Sequence, residues 1–124
     1  MITIVIKSFA SKATEKFWQT GKSKGTPPVN LRRAALRKLV MVDGAADLKD
    51  LDVPPGNHLE ALHEDREGQH SIRINDQFRV CFVWREGNAY EVEIVDYHLN
   101  YAQEGVDQQT LRKRNLLGTL EILL

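Results

Sequence analysis

Residues 70–85 read HSIRINDQFRVCFVWR, and this stretch decides the fold. Two runs within it, residues 70–75 and 78–85, alternate apolar with polar side chains, which is the period-2 pattern of a half-buried strand. Asn75-Asp76 between them has the composition of a tight turn. The pattern therefore predicts an antiparallel hairpin that buries one face, made of Ile72, Ile74, Phe78, Val80, Phe82 and Trp84.

Further strands are predicted on either side of this hairpin. Residues 86–88 supply a turn, after which Tyr90 to Tyr97 alternate again, with Val92 and Ile94 on the buried face. A weaker strand is predicted over residues 58–62, and residues 1–6 form a short run rich in β-branched side chains. Strands joined by such short turns form an antiparallel meander.

Helical periodicity precedes the strands. Ser8 or Ser11 can cap a short helix that runs through Gln19. Pro27-Pro28 is suited to begin a second helix, and Gly44 is placed to end it. Helices followed by strands predict an α+β fold, in which two N-terminal helices pack on one face of a small antiparallel β-sheet.

The chain is long enough for one domain. It has 124 residues, of which 42% are hydrophobic and 27% charged, as in an ordinary globular protein. The predicted elements occupy residues 1–98, which we interpret as the domain. Residues 99–124 do not fit this plan: a helical extension, a dimer contact and vector-derived sequence are the alternatives, and the sequence does not choose between them.

The cellular environment is constrained by what the sequence lacks. A single cysteine, Cys81, permits neither an intrachain disulfide nor a multi-cysteine metal site. The apolar N-terminus has no basic leader, and no apolar run approaches the ~20 residues that cross a bilayer. We therefore expect a protein of the reducing cytoplasm that does not enter a membrane.

Charge is balanced overall but unevenly distributed. Residues 1–43 contain nine Lys or Arg against two acidic residues, and residues 44–70 contain seven Asp or Glu against two basic ones. A basic end of this kind can steer a polyanion toward one side of the molecule. Solvated helix faces explain the same charges equally well.

The last predicted strand ends in three side chains that handle protons, Asp96-Tyr97-His98. On the strand parity above, Tyr97 faces away from the helices, on the same face as Arg73, Arg79 and Arg85. Cleavage of RNA by its own 2′-OH needs a base, an acid and cations that stabilise the phosphorane, and no metal. Histidine, arginine and tyrosine suit these tasks, although isolated surface arginines and a strand-end histidine are usually only solvated.

Several segments together resemble one family, the HigB-type toxins of the RelE/ParE superfamily. They are residues 70–84, EVEIVDYH at 91–98, PPGNHLEAL at 54–62 and REGQHSI at 66–72. The early Phe17-Trp18 and Thr20-Gly21 pairs and the segment from Arg37 to Ala46 are similar to the same group. The resemblance covers residues 1–98 and leaves the last 26 residues as a departure.

This resemblance implies a toxin that cuts mRNA in the ribosomal A site without a cofactor and is neutralised by a HigA-type helix-turn-helix antitoxin. It implies contact with DNA only through that antitoxin. The terminal Asp-Tyr-His of the family matches Asp96, Tyr97 and His98, and the strand arginine matches Arg79. Glu60 and His63 occupy the positions of the family's functional His and Lys.

The resulting hypothesis assigns proton transfer to His98 with Glu60 or His63, and places Asp96 in the same catalytic group. Arg79, with Arg73, binds the phosphate, and Tyr97 orients the nucleotide. Two alternatives stay open. ParE relatives share the architecture but inhibit DNA gyrase without catalysis, and a toxin that has lost activity can persist as an antitoxin-binding subunit. A metal site built on His63, His70 and His98 matches no ligand spacing.

Overall fold

Four antiparallel strands form one sheet in the computed structural model, which describes residues 4–97. The strands are β1 (Glu60–Ala61), β2 (His70–Arg73), β3 (Phe78–Arg85) and β4 (Asn88–Asp96), and they lie in that order across the sheet. The predicted meander is confirmed. Strand β1 is shorter than the predicted 58–62, because His58 has a left-handed backbone (φ 45°) that ends a preceding 3-10 turn.

Two helices precede the sheet, as predicted. Helix α1 (Lys12–Thr20) begins at Ser11, whose hydroxyl accepts a hydrogen bond from the Thr14 N–H at 3.1 Å. Helix α2 (Arg32–Gly44) begins later than Pro27-Pro28 predicts, because a 3-10 turn at Val29–Leu31 comes first. Further 3-10 turns are Leu48–Asp52, Pro55–Asn57 and Glu64–Arg66. No helix within residues 4–97 is long and apolar enough to cross a membrane.

The N-terminal segment lies along the outer edge of β4. Ile6 and Phe9 form isolated parallel bridges with Ala89 and Val92, so the predicted first strand appears only as bridges, and residues 1–3 lie outside the described part of the chain. Asp43 of α2 fastens this segment, since its Oδ1 accepts hydrogen bonds from the N–H groups of Val5 (3.1 Å) and Ile6 (3.0 Å).

The core lies between the helices and one face of the sheet. Phe17 of α1 and Leu39 of α2 are fully buried against the strand residues that the sequence placed on that face. The buried residues on that face are Ile72, Ile74, Phe78, Val80, Phe82, Val92 and Ile94, with Trp84 partly buried beside them. The opposite face of the sheet points away from the helices.

Candidate active site

Four side chains line up across the face of the sheet that points away from the helices. Strand register places Glu60 opposite Ser71, Ser71 opposite Cys81, and Cys81 opposite Glu93. Residues directly opposite each other in antiparallel strands share a face and lie close together. The row therefore brings a carboxylate, a hydroxyl and a thiol next to Arg79, which lies two residues before Cys81 on the same face.

Arg79 is the centre of this arrangement. Its Nη1 donates to Glu60 Oε1 at 2.9 Å and to Ser71 Oγ at 3.1 Å, and its Cζ lies 5.1 Å from the centroid of the Tyr97 ring. The side chain is only 16% exposed. Both of these hydrogen bonds use the same guanidinium nitrogen, Nη1.

Tyr97 lies beside Arg79 as a neutral phenol. Burial is the largest influence on its pKa and raises it, and the Cys81 thiol acts in the same direction. A hydrogen bond with Ser71 and the charge of Arg79 oppose this rise without reversing it. A phenol whose pKa is raised above 10.0 keeps its proton at neutral pH, so Tyr97 can stack or donate but does not act as a base there.

The centre of this face is covered by side chains. Cys81 lies on that face, opposite Ser71 and Glu93, but is 0% exposed. Burial raises the pKa of its thiol to about 11. The ion pairs Arg79–Glu60 (2.9 Å) and Arg66–Glu93 (3.5 Å) lie near the thiol, because long charged side chains cover apolar surface with their stems.

The other predicted site residues lie at varying positions relative to Arg79. Arg73 is directly opposite Arg79 in the register and pairs with Asp76. His63 is 78% exposed, and its Nδ1 lies 3.9 Å from Glu67 Oε1. Asp96 is opposite the buried Phe78, hence on the helix side of the sheet.

Asp96 lines a cavity beside β4 together with Ser11 and Thr14 at the start of α1, and Arg66 and Glu93 line the same cavity. Its Oδ2 accepts a hydrogen bond from Gln77 Nε2 at 3.1 Å. His98 and the proposed extension at 99–124 lie outside the described residues. The structure therefore gathers Glu60, Arg79 and Tyr97, and keeps Asp96 on the other face from them.

Ser71 is the site residue that sequence reasoning missed. It is 0% exposed and contacts both Arg79 and Tyr97. A buried hydroxyl needs hydrogen-bond partners, so Ser71 fixes the positions of its neighbours. Its signal in the sequence is parity, since it occupies an outward position of β2, one residue before the buried Ile72.

Chemically, the arrangement is suited to an anion with a proton to transfer. A guanidinium presents a planar fork that matches phosphate oxygens. The carboxylate of Glu60 lies beside it, where a proton acceptor would be needed, and the Tyr97 ring offers a stacking surface. A phosphodiester with a neighbouring hydroxyl satisfies all three groups at once.

Comparison with known proteins shows that the chain is similar to a family of toxins. Residues 7–98 match the family model of the HigB-like toxin, described as the RelE-like toxin of the type II toxin-antitoxin system HigB. Toxin HigB-1 of Vibrio cholerae is 38% identical over 81 residues, which cover 65% of this chain and 85% of that protein. Endoribonuclease HigB of Proteus vulgaris is 32% identical over 94 residues, or 76% of this chain and 100% of that protein.

Solved structures show a more distant likeness. The crystal structure of YafQ from E. coli strain BL21(DE3) is 10% identical and covers 82% of this chain and 99% of that chain, with a TM-score of 0.46. The YoeB-YefM complex from Staphylococcus aureus gives 18% identity, 79% and 98% coverage, and a TM-score of 0.44.

Proposed function

Because the chain belongs to the HigB-like family, the RelE-like toxins of type II toxin-antitoxin systems, we propose that it is an endoribonuclease that cuts translated mRNA on the ribosome. Its relative from Proteus vulgaris carries the name endoribonuclease, which supports RNA as the substrate. The observation that carries the proposal is the contact of Arg79 with Glu60, Ser71 and Tyr97 on one face of the sheet.

In this mechanism the ribose 2′-OH attacks the adjacent phosphorus. A base removes the hydroxyl proton, the bond to the 5′ oxygen breaks, and an acid protonates that oxygen, which leaves a 2′,3′-cyclic phosphate and a 5′-hydroxyl. Arg79 stabilises the charge that develops on the phosphorane, with Arg73 beside it. Tyr97 orients the nucleotide by stacking.

The proton steps are assigned to Glu60 and His98. Glu60 is favoured over His63 as the base, since its Oε1 lies 2.9 Å from Arg79 Nη1, whereas the His63 side chain is 78% exposed and adjoins Glu67. Histidine suits the acid step near neutral pH. We assign Asp96 an indirect role, which is to position the end of β4, because its side chain points to the helix face of the sheet.

The partners follow from the family. A type II toxin is paired with a protein antitoxin, and we propose a HigA-type helix-turn-helix protein that links this chain to DNA only indirectly. A ribosome-bound substrate places the activity in the cytoplasm and requires no membrane. We infer that residues 1–98 form the toxin domain and residues 99–124 an extension, which agrees with the span of the family match at 7–98.

Primer extension on mRNA translated in a purified system tests the proposal. The full chain should produce cuts at codon-defined positions, with a 2′,3′-cyclic phosphate at the upstream end. Arg79→Ala should lower the cleavage rate by about 10²–10³-fold, the usual effect of removing one transition-state donor. Arg85→Ala is the matched control, since Arg85 is exposed and packs on Tyr90 at 4.3 Å, at the far end of β3.

Two results would redirect the proposal. DNA damage without RNA cuts would favour the gyrase inhibitor. Harmless expression without an antitoxin, together with intact mRNA, would favour an inactive binding subunit. In cells His98→Ala should relieve growth arrest while the protein remains folded; undiminished toxicity would remove His98 from the mechanism.

A further inference from the structure

One residue of the turn between β2 and β3 (residues 74–77) makes two contacts with the end of β4. The carbonyl oxygen of Gln77 accepts a hydrogen bond from the Tyr97 N–H at 2.7 Å. Its side-chain Nε2 donates to Asp96 Oδ2 at 3.1 Å, a bond between an amide and a carboxylate and hence one of the stronger kind. Gln77 therefore fixes two consecutive residues at the point where β4 ends.

The turn that carries Gln77 is itself closed by hydrogen bonds. Asn75 Oδ1 accepts from the N–H groups of Gln77 (2.9 Å) and Phe78 (2.8 Å), as asparagine side chains do in turns. The Phe78 carbonyl oxygen accepts from the N–H groups of Ile74 (2.9 Å) and Asn75 (3.2 Å). Ile74 and Phe78 are buried in the core, so the turn gives Gln77 a fixed backbone.

These contacts act at a place that strand pairing does not reach. The pairing of β3 with β4 ends where Phe78 is opposite Asp96, and Tyr97 is the next residue. The Tyr97 ring nevertheless lies 5.1 Å from the Cζ of Arg79, in the candidate active site. Because a displacement of about 1 Å at a reacting site costs about 10²-fold in rate, the position of this strand end matters for catalysis.

We propose that Gln77 is a positioning residue of the cleavage reaction, which keeps Tyr97 beside Arg79 through its contacts with the end of β4. The proposal rests on the proposed function and adds to it a residue that does not touch the substrate. Asn75 has the same role one step further away, because its side chain fixes the backbone of Gln77.

Single substitutions in the turn test this role in the full chain. Gln77→Ala removes the bond to Asp96, and Asn75→Ala removes the acceptor that closes the turn, whereas Asn75→Asp keeps an oxygen acceptor there. Asn88→Ala is the matched control for lost amides. Asn88 is also half-buried in a hairpin turn, at the other end of β3, where its Nδ2 donates to the Glu86 carbonyl oxygen at 3.3 Å.

An exchange of partners tests the contact itself. Gln77→Glu removes the donor and brings two carboxylates together, which repel each other. The double variant Gln77→Glu/Asp96→Asn restores one amide and one carboxylate with donor and acceptor reversed. It should therefore recover most of the rate that Gln77→Glu loses, as a double-mutant cycle measures.

Single-turnover cleavage should be about 10–10²-fold slower in Gln77→Ala and Asn75→Ala, with unchanged affinity for ribosomes. Asn88→Ala and Asn75→Asp should cleave like the wild type. A second readout is the NMR signal of the Tyr97 ring in protein labelled with carbon-13 tyrosine, assigned by its absence in Tyr97→Phe. This signal should shift in Gln77→Ala and return in the double variant, whereas a loss of stability alone would not move it in the folded protein.

The proposal is overturned if Gln77→Ala matches Asn88→Ala in both cleavage rate and Tyr97 signal, or if the double variant recovers nothing that Gln77→Glu loses. Should Gln77→Ala melt early, the double variant still decides, since it keeps both hydrogen-bonding groups. The NMR readout needs no cleavage. A wild type that cuts no RNA but whose Tyr97 signal responds to Gln77→Ala would contradict the proposed function and leave the positioning contact in place.

Discussion

Glu60 Oε1 accepts a hydrogen bond at 2.9 Å from the same Arg79 nitrogen that donates to Ser71. The carboxylate thus lies where a phosphate oxygen of the substrate would also interact. The Glu60 side chain is 50% exposed, and an ion pair so open to water is worth little, about 0–1 kcal/mol. A phosphate can therefore replace the Glu60 carboxylate as the partner of the Arg79 guanidinium at a small cost in free energy. The carboxylate is then able to accept a proton.

Glu60→Gln tests this exchange. The amide keeps the shape of the side chain but accepts no proton, so single-turnover cleavage should fall by about 10²–10⁴-fold, the usual contribution of a general base. Affinity for a 2′-O-methyl oligonucleotide should not fall, since Arg79 loses a competing carboxylate. Glu15→Gln on the exposed side of α1 is the control for lost charge. If His63→Gln abolished cleavage and Glu60→Gln did not, the base would be His63.

Tyr97→Phe separates the ring from its hydroxyl. The ring contributes its stacking surface and its contact with Arg79, whereas the hydroxyl contributes the hydrogen bond to Ser71. Cleavage should fall less than about tenfold in Tyr97→Phe and by more in Tyr97→Ala, because base–aromatic stacking is worth about 1–3 kcal/mol. Cleavage rates of both variants should be measured with saturating ribosomes. Equal losses of rate in Tyr97→Phe and Tyr97→Ala would show that Tyr97 does not act by stacking.

The raised pKa of Tyr97 makes a separate prediction for the pH dependence of cleavage. Burial raises the pKa of the phenol above 10.0, so Tyr97 stays protonated below that pH. The pH–rate profiles of wild type and Tyr97→Phe should therefore show the same inflections between pH 7 and pH 10. The measurement is the pH–rate profile of single-turnover cleavage for wild type and variant. An alkaline inflection present only in the wild type would mean that Tyr97 ionises in this range and works as a base.

Strand alternation predicted most of the site, and the limits of that prediction are physical. Parity correctly placed Arg79 and Tyr97 on one face, since the side-chain period of a strand is fixed at two. Parity gives the face on which a side chain lies but not whether neighbouring side chains bury it. It could not reveal that the side chains around Cys81 exclude water from the thiol. Nor could it predict that Asn57 holds Lys38, because that contact joins residues 19 apart through an irregular loop.

A bulge in β4 is a further feature that alternation does not reveal. Tyr90 is opposite Val83 and Glu93 is opposite Cys81, so β4 has one extra residue across from Phe82. Glu91 takes a left-handed conformation there (φ 53°), and its N–H donates to the Ser8 hydroxyl at 2.9 Å. Ser8, which the sequence offered as a helix cap, instead ties the N-terminal segment to this bulge.

His70 should make stability depend on pH. The ring packs on Phe82 at 6.4 Å, its Nδ1 is buried with no hydrogen-bond partner among residues 4–97, and burial lowers its pKa below 6.5. The unfolded chain therefore binds a proton at higher pH than the folded protein. The stability that neutral His70 contributes is fully present above pH 6.5 and is lost as pH falls toward the folded-state pKa.

Urea unfolding between pH 5 and pH 8 measures this effect. His70→Gln should have a flatter dependence of unfolding free energy on pH below 6.5 than the wild type. His63→Gln, at a position that is 78% exposed, should follow the wild-type curve. An unchanged curve for His70→Gln would show that His70 titrates alike in the folded and unfolded chains.

Asp43→Ala should destabilise the fold through the N-terminal segment. The Asp43 carboxylate accepts hydrogen bonds from the N–H groups of Val5 and Ile6, whose residues are only 1% and 8% exposed. Removal leaves two backbone donors unsatisfied in a buried place, at about 1–3 kcal/mol each. Asp43→Asn keeps an oxygen acceptor without the charge, so its loss of unfolding free energy should be smaller.

Urea unfolding midpoints at constant m-value measure these losses. Asp52→Ala is the control, because Asp52 is exposed at the end of a 3-10 turn and should change the unfolding free energy by less than about 0.5 kcal/mol. Hydrogen exchange adds a local readout: the amides of Val5 and Ile6 should lose protection in Asp43→Ala before those of β3 do. Equal stability of Asp43→Ala and Asp52→Ala would mean that this contact does not hold the segment against β4.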